Sequence, residues 1–528
     1  MAWTKERLET TVRERLRGAR VVVVANREPY IHVTQNEGIC CLRPASGLTT
    51  ALDPVMRACG GVWVAHGSGD ADRAVVDQHD RVLVPPENPA YTLRRVWLSK
   101  EEELGYYYGF SNEALWPLCH IAYTRPRFDA RDWEQYRRVN QKFAAAILEE
   151  VGGDPAVVFV QDYHFALLPR MLKQARPDLL VAQFWHIPWP NREAFRVCPW
   201  QTEILDGLLG NDLLSFHIQY HCNNFLETVD RGLESRVDME QFAVTYGGHV
   251  TSIRPHPISI DPDIARSYQP ADAATAARRL RRSLHLRDEA ILLGVDRVDY
   301  TKGIPERFRA VDRLLTVHPE WCGKVTLVQV GAPSRVHIPA YRHLIEEVKA
   351  LADEINWRHG SETWKPIVLL NEHHTSDEVI ALSRIAAACV VSSLHDGMNL
   401  VAKEFVAARD DLRGVLVLSE FTGAARELDG ALLINPYAVD KFAETLHQAL
   451  TMPEDDQERR MQRMRLQVSD NNIYRWAGML LSEIAKLADC ALAGKRGDPP
   501  HVGRSTDASE TAPFDKCGLQ LALAPNSA

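Results

Sequence analysis

The run His395-Asp396-Gly397-Met398-Asn399-Leu400-Val401-Ala402-Lys403-Glu404 joins an Asp-Gly turn directly to a helical pattern. The first N–H groups of a helix lack partners within it and lie at the positive end of its dipole, so they suit a diphosphate or a sugar hydroxyl. Glu404 falls about two turns into that helix, a reach suited to a ribose diol. The same residues also read as an Asp N-cap before a buried helix. A second group, Asp296-Arg297-Val298-Asp299-Tyr300-Thr301-Lys302-Gly303, sets two cations after an apolar run. Arg297 and Lys302 could neutralise a diphosphate leaving group, or Asp296 and Asp299 could hold them in a solvated loop.

Other groups are weaker. Asn26-Arg27 with Ala45-Ser46-Gly47-Leu48 pairs a strand-end arginine with a small-residue loop, without the G-x-G-x-x-G spacing of a dinucleotide site. Asp162-Tyr163-His164 and Trp185-His186-Ile187-Pro188-Trp189-Pro190 follow two successive apolar runs, where Asp and His could bind sugar hydroxyls or assist proton movement. Tyr106 to Trp116 is dense in aromatic residues, which stack on sugar rings but more often fill cores. His217 and His221 have i,i+4 spacing without the Glu of H-E-x-x-H, and His373-His374 lacks Cys or carboxylate partners at ligand spacing. No metal is expected.

The elements that must position these residues are short β-branched runs. Arg20–Ala25, Ala156–Val160, Leu180–Trp185, Ile291–Val295, Lys324–Val330 and Val415–Leu418 are apolar on both faces, as buried parallel strands are. Helical patterns such as 340–355 and 453–468 separate them, which predicts an α/β fold with parallel sheets. Polar residues cluster after the strands' carboxyl ends, the edge where open α/β sheets bind ligands. Arg27, Asp162, His186, Arg297 and Arg335 are thus candidates for one cleft. Prolines within Ile253–Pro262 predict a boundary between two halves of similar size, residues 20–257 and 258–490, with the last helices able to pack back on the first half. Residues 1–19 read as an exposed helix and 494–528 as a disordered tail.

The net charge of −9 argues against a nucleic-acid binder. The absence of an 18-residue apolar run argues against a membrane span, and the N-terminus has no apolar h-region, so a cytoplasmic protein is expected. Ten cysteines without a C-x-x-C read as reduced, mostly buried thiols. Homo-oligomerisation is compatible with the sequence but not legible in it.

Taken together, these segments resemble glycosyltransferase family 20. The resemblance spans roughly residues 20 to 485 and rests on Y-Y-x-G-F-S-N-x-x-L-W-P from Tyr106, D-Y-H-x-x-L-x-P from Asp162, H-I-P-x-P from His186, D-R-V-D-Y-T-K-G-I-P-E-R from Asp296, D-G-M-N-L-V-A-K-E from Asp396 and N-P-Y from Asn435. It implies a GT-B fold, two Rossmann-like domains facing across a deep cleft. It also implies metal-independent, retaining transfer of glucose from a nucleotide-glucose, usually UDP-glucose, to glucose 6-phosphate, giving α,α-trehalose 6-phosphate. No cofactor is implied beyond these small-molecule substrates.

By matching position, the resemblance implies that Arg297 and Lys302 hold the donor diphosphate and that Gly47 lies against it. The backbone from Gly397 through Met398 and Asn399 to Leu400 meets phosphate and sugar at the helix start. Asp396 binds donor hydroxyls, Glu404 the ribose, and Val401, Ala402 and Lys403 complete the donor segment. His186 binds the transferred glucose. Arg27 and Arg335 bind the acceptor phosphate in a pocket lined by Tyr107, Trp116 and Asp162. His186, Asp162, Arg297 and Lys302 are the residues expected to carry catalysis. Front-face transfer, with the leaving diphosphate taking the acceptor proton, is implied, and double displacement stays open at this level. The chain departs from the family pattern at Ser46, Tyr108, His395, His374 and Glu28-Pro29-Tyr30, which leaves UDP-, GDP- and ADP-glucose in play as donors. Glucosylglycerol-phosphate synthesis, a pseudo-glycosyltransferase and a non-catalytic sugar-phosphate sensor are the rival readings. The residues after about 494 are too few for a phosphatase, so release of trehalose is expected to need a separate enzyme.

Overall fold

Continuous apolar runs become the centres of two sheets in the computed structural model, which describes residues 3–35, 38–44, 47–263, 273–372 and 374–496. Ala45, Ser46, His373 and 497–528, most of the expected disordered tail, lie outside these. The first sheet has ten strands. Its parallel part runs, in spatial order, His249–Pro255, Leu213–Phe216, Leu180–Phe184, Ala156–Gln161, Arg20–Arg27, Val62–His66 and Tyr91–Val96. Ala156–Gln161 is buried at every position, which is why its sequence shows no alternation. The second sheet has six parallel strands in the order Ile367–Leu370, Val325–Ala332, Ala290–Arg297, Ala388–Val391, Val415–Ser419 and Leu432–Ile434.

The order in which successive strands are added reverses once in each parallel sheet. In the first sheet the break lies between Arg20–Arg27 and Ala156–Gln161, and in the second between Ala290–Arg297 and Ala388–Val391. Helices on either side of such a break splay apart and leave a crevice at the strands' carboxyl ends. Arg27 and Asp162 end the strands at the first break. Arg297 ends one strand at the second, and Asp396 closely follows the other.

The expected N-terminal helix forms over Lys5–Leu16, but it is not simply exposed, since Leu8 and Leu16 are buried. The expected boundary segment starts inside the first sheet, because Ile253 to Pro255 pair with Leu214 to Phe216. Ile258, Ser259 and Ile260 beyond it are buried. Ile260 O accepts from Ile473 N at 3.0 Å, where the last helix, Ile473–Arg496, begins. Trp476 Nε1 donates to His256 O at 3.2 Å, and its ring lies 5.7 Å from Phe159 and 5.2 Å from Phe184. Trp476→Ala removes this bridge and leaves a cavity, so it should cost about 3–5 kcal/mol. A urea-unfolding midpoint equal to that of the parent chain would contradict this.

Among the described cysteines, Cys119, Cys198, Cys222 and Cys389 are buried, but Cys40, Cys41 and Cys322 are exposed. The expectation of mostly buried thiols fails at Cys40 and Cys41 because their strand, Gly38–Leu42, is exposed throughout in a separate two-stranded hairpin. No helix among the described residues is long and apolar enough to cross a membrane.

Candidate active site

A cleft of about 460 Å³ collects the strand-end residues of both sheets. Its wall includes Arg27, Gly47, Tyr107, Trp116, Asp162 and His186 from the first half of the chain, and Arg297, Lys302, Arg335, Asp396, Met398, Asn399, Leu400, Val401 and Glu404 from the second. A larger groove of about 1060 Å³ runs past Arg278, Arg282, Lys349 and Lys365 and shares none of these residues.

On one side of the cleft, the helix Leu400–Ala408 starts at Asn399, whose side chain accepts from Ala402 N at 3.1 Å. Asn399 has φ 90°, a strained value for a residue with a side chain. Asp396 accepts from Lys302 Nζ at 2.5 Å, Ser393 Oγ at 3.2 Å and Asn399 Nδ2 at 3.3 Å. Burial opposes ionisation of Asp396, but Lys302 outweighs it and holds the carboxyl below the ordinary carboxylate range. Gly397 is a glycine by necessity, since a Cβ there would run into His186 O. Burial alone lifts Glu404 to about 7. The second expected loop divides its charges: Asp296 pairs with Arg307 at 2.8 Å, which leaves Arg297 and Lys302 on the cleft wall.

The other side is aromatic and cationic. Leu104–Leu115 is wound as a π-helix, with i→i+5 bonds such as Trp116 N to Ser111 O. Tyr106 and Phe110 enter the core, while Tyr107 and Trp116 reach the cleft. Arg335, itself at φ 49°, lays its guanidinium 4.2 Å from the Trp116 ring and donates to Tyr341 Oη at 2.6 Å and Tyr163 Oη at 3.3 Å. Arg27 Nη2 donates to Tyr107 Oη at 3.2 Å. A register break between Val24 and Arg27 turns the strand end outward. Glu28 turns inward, accepting from Arg95 Nε and Ser68 N, each at 2.8 Å, and burial pushes it up to about 8. Burial would raise the Tyr107 hydroxyl, but Arg335, Arg27 and Arg297 bring it down to about 7.

Asp162 and His186 lie between the two sides. Asp162 has φ 71°, accepts from His186 N at 3.2 Å and is lifted by burial to about 7. His186 Nε2 meets Gln161 Oε1 at 3.0 Å, an acceptor, so Nε2 carries the hydrogen and Nδ1 is free to accept. Burial holds its pKa at about 3, so the ring is neutral at physiological pH.

Asn26 Oδ1, Trp116 Nε1, His164 Nε2, His374 Nε2 and Arg335 Nε are buried without a hydrogen-bond partner among the described residues. All belong to the cleft's wall, where a bound ligand can supply their missing partners. Lys403 corrects the sequence reading. Its ammonium does not line the cleft but is bound to Ile258 O at 2.8 Å and Glu427 Oε2 at 2.6 Å, since a helix cannot aim Lys403 and Glu404 in one direction. Gly397, Ala402 and Lys403 are absent from the wall. His120, which no sequence signal marked, and Gln161, the polar end of the run Ala156–Val160, are part of it.

The histidine pair splits as well. His217 Nε2 meets His186 O at 3.0 Å, while His221 Nδ1 meets Trp189 O at 3.3 Å. Elsewhere His318, Glu320 and His447 bring ligand atoms within 4.8 Å of one another. The two imidazoles stack at 3.9 Å and 2°, so their lone pairs run parallel rather than converging on one ion.

The sequence profile of glycosyltransferase family 20 matches residues 19–486. The trehalose-6-phosphate synthase of Mycolicibacterium vanbaalenii is 38% identical over 484 residues, covering 89% of this chain and 96% of that protein. An α,α-trehalose-phosphate synthase (UDP-forming) from Burkholderia xenovorans, in complex with glucose 6-phosphate, superposes with TM-score 0.78 at 31% identity, covering 88% of this chain and 100% of that one. A structure from E. coli named for trehalose 6-phosphate and bound with UDP-2-fluoro glucose has TM-score 0.78 at 31% identity, covering 89% and 99%. The two parallel sheets and their shared cleft are the GT-B fold. With the match running from the first strand to the last helix, the chain belongs to glycosyltransferase family 20.

Proposed function

We propose that the chain transfers glucose from UDP-glucose to glucose 6-phosphate with retention, giving α,α-trehalose 6-phosphate and UDP. One observation carries this reading. A single cleft sets Arg297, Lys302, a helix start and Glu404 on one side, and Arg27, Tyr107, Trp116 and Arg335 on the other. The first set suits a nucleoside diphosphate and the second a phosphorylated sugar.

Arg297, Lys302 and the N–H groups at the helix start neutralise charge as it develops on the leaving UDP. Glu404 accepts from the ribose hydroxyls. Asp396 and the free Nδ1 of His186 accept hydroxyl protons of the transferred glucose. Arg27 and Arg335 fork onto the acceptor phosphate, and Asp162 orients an acceptor hydroxyl. With its pKa held at about 3, His186 is too weak a base to keep the acceptor's proton, which passes instead to the departing diphosphate on the same face. Positioning and electrostatics supply the catalysis. The test mixes UDP-, GDP- and ADP-glucose with glucose 6-phosphate or glycerol 3-phosphate and identifies the products. A non-reducing disaccharide phosphate formed from UDP-glucose and glucose 6-phosphate is expected. Release of nucleotide only with glycerol 3-phosphate, or with no acceptor of the panel, overturns the reading.

The two groups near 7 set a pH dependence. Asp162 is ionised, and able to accept a hydrogen bond from an acceptor hydroxyl, above about 7. Tyr107 is uncharged below about 7, and its phenolate above that repels a phosphate. The kcat/KM for glucose 6-phosphate should therefore peak near neutrality and fall on both sides. Tyr107→Phe should lose the alkaline limb and keep the acid one. An alkaline limb unchanged in that variant would refute the assignment.

A further inference from the structure

The Arg335 side chain is anchored on Tyr341, Tyr163 and Trp116, but the backbone of its loop is tied by near neighbours in sequence, Arg342 Nη1 donating to Val336 O and His337 O, each at 3.2 Å. Arg335 has φ 49°, a left-handed backbone conformation that persists in a non-glycine residue only when its surroundings fix it. Within the loop, Ile338 N donates to Arg335 O at 2.8 Å. The next two residues, Val336 and His337, are exposed. The His337 ring nevertheless has a neighbour from the other half of the chain: the Tyr108 ring, at 5.2 Å and 80°. Among the described residues neither side chain makes a hydrogen bond or ion pair, and neither lines the cleft. The contact continues inward, since Tyr108 meets Tyr107 edge-on at 5.1 Å and 80°, and Tyr107 stacks on His164 at 5.7 Å and 13°. A single aromatic file thus runs from the Arg335 loop to the tyrosine that Arg27 bonds. Tyr108 is also a position where this chain departs from the family pattern.

We infer that Tyr108 and His337 form an aromatic clamp between the two halves of the chain that positions Arg335 and Tyr107 for the acceptor phosphate. The inference rests on the proposed acceptor. The clamp touches no substrate, so Tyr108 and His337 are positioning residues. When the halves are apposed, the ring contact fixes the left-handed turn and presents the guanidinium. When they part, the turn relaxes and the site for the phosphate is lost, which couples acceptor binding to apposition of the halves.

Four forms are compared: the parent chain, Tyr108→Ala, His337→Ala and the double variant, with Tyr108→Phe as the conservative control. Each alanine variant should raise KM for glucose 6-phosphate about 3–10-fold, the range an aromatic pair supports, with kcat and the donor KM unchanged. The double variant should be no worse than either single one, and Tyr108→Phe should match the parent chain. Additive effects, an equal rise in donor KM, or a Tyr108→Phe as damaging as Tyr108→Ala overturns the clamp. Calorimetric titration of glucose 6-phosphate in the presence of UDP separates this from the proposed activity. A parent chain that binds glucose 6-phosphate tightly, variants that bind it several-fold more weakly, and no turnover anywhere would defeat the activity and uphold the clamp. Equal binding by all forms would defeat the clamp alone.

Discussion

Lys302→Ala should lower kcat/KM for the nucleotide sugar about 10²–10³-fold, equivalent to about 3–4 kcal/mol of lost transition-state stabilisation. Within the cleft Lys302 neutralises Asp396 at 2.5 Å, with both side chains only 14% exposed. A bound diphosphate shares that ammonium, so its removal withdraws positive charge where negative charge develops. It also strands Asp396. Breaking one partner of a buried pair costs about 3–5 kcal/mol, and Ser393 and Asn399, which still donate to Asp396, reduce that figure here. The sign with pH follows from the depressed Asp396. Its pairing contributes stability above the unfolded carboxylate pKa and loses it as pH falls through the folded value. The stability deficit of Lys302→Ala should therefore be largest near neutrality and shrink in acid. Adding Asp396→Asn should restore much of the melting temperature and none of the turnover. Recovery of turnover in the double variant would show that Lys302 serves Asp396 alone.

The strands were legible because burial on both faces removes alternation. Ala156–Gln161 and Val415–Ser419 are apolar throughout for that reason. The short edge strand Arg236–Asp238 and its neighbour Ala243–Tyr246 left no such trace, since their residues are mostly half-exposed and mixed. The π-wound segment was legible only as aromatic density, because i→i+5 bonding leaves neither the helical nor the strand period. At the site, residue types and strand ends pointed to the cleft, but the pairings did not. Lys302 meets Asp396 across 94 residues and Arg27 meets Tyr107 across 80, distances that no local spacing encodes. Lys403 misled for the opposite reason, since adjacency to Glu404 in sequence becomes divergence on a helix. His120 carried no signal, because it is the last residue of the short helix Trp116–His120, outside every motif and strand end.

Arg335→Ala should lower kcat/KM for glucose 6-phosphate about 10³-fold while leaving the donor KM nearly unchanged. The side chain is only 5% exposed and already oriented, by Tyr341 Oη at 2.6 Å, Tyr163 Oη at 3.3 Å, Asp299 Oδ2 at 3.5 Å and the Trp116 face at 4.2 Å. Two charge-assisted hydrogen bonds to a phosphate, at about 1.5–3 kcal/mol each, account for a loss of that size. Arg335→Lys should recover only part of it, since an ammonium neither forks onto a phosphate nor stacks on Trp116 as a guanidinium does. Truncation also takes a counter-charge from Asp299, which keeps Arg297 at 3.9 Å, so some general loss of activity is expected. The preference for glucose 6-phosphate over glucose separates the two effects. A damaged site loses rate with both acceptors and keeps the preference. A missing phosphate ligand leaves the weak rate with glucose intact and brings the preference down toward what Arg27 alone supports. A preference that survives Arg335→Ala at full size would move the phosphate away from Arg335 and leave the clamp at Tyr108 and His337 only Tyr107 to position.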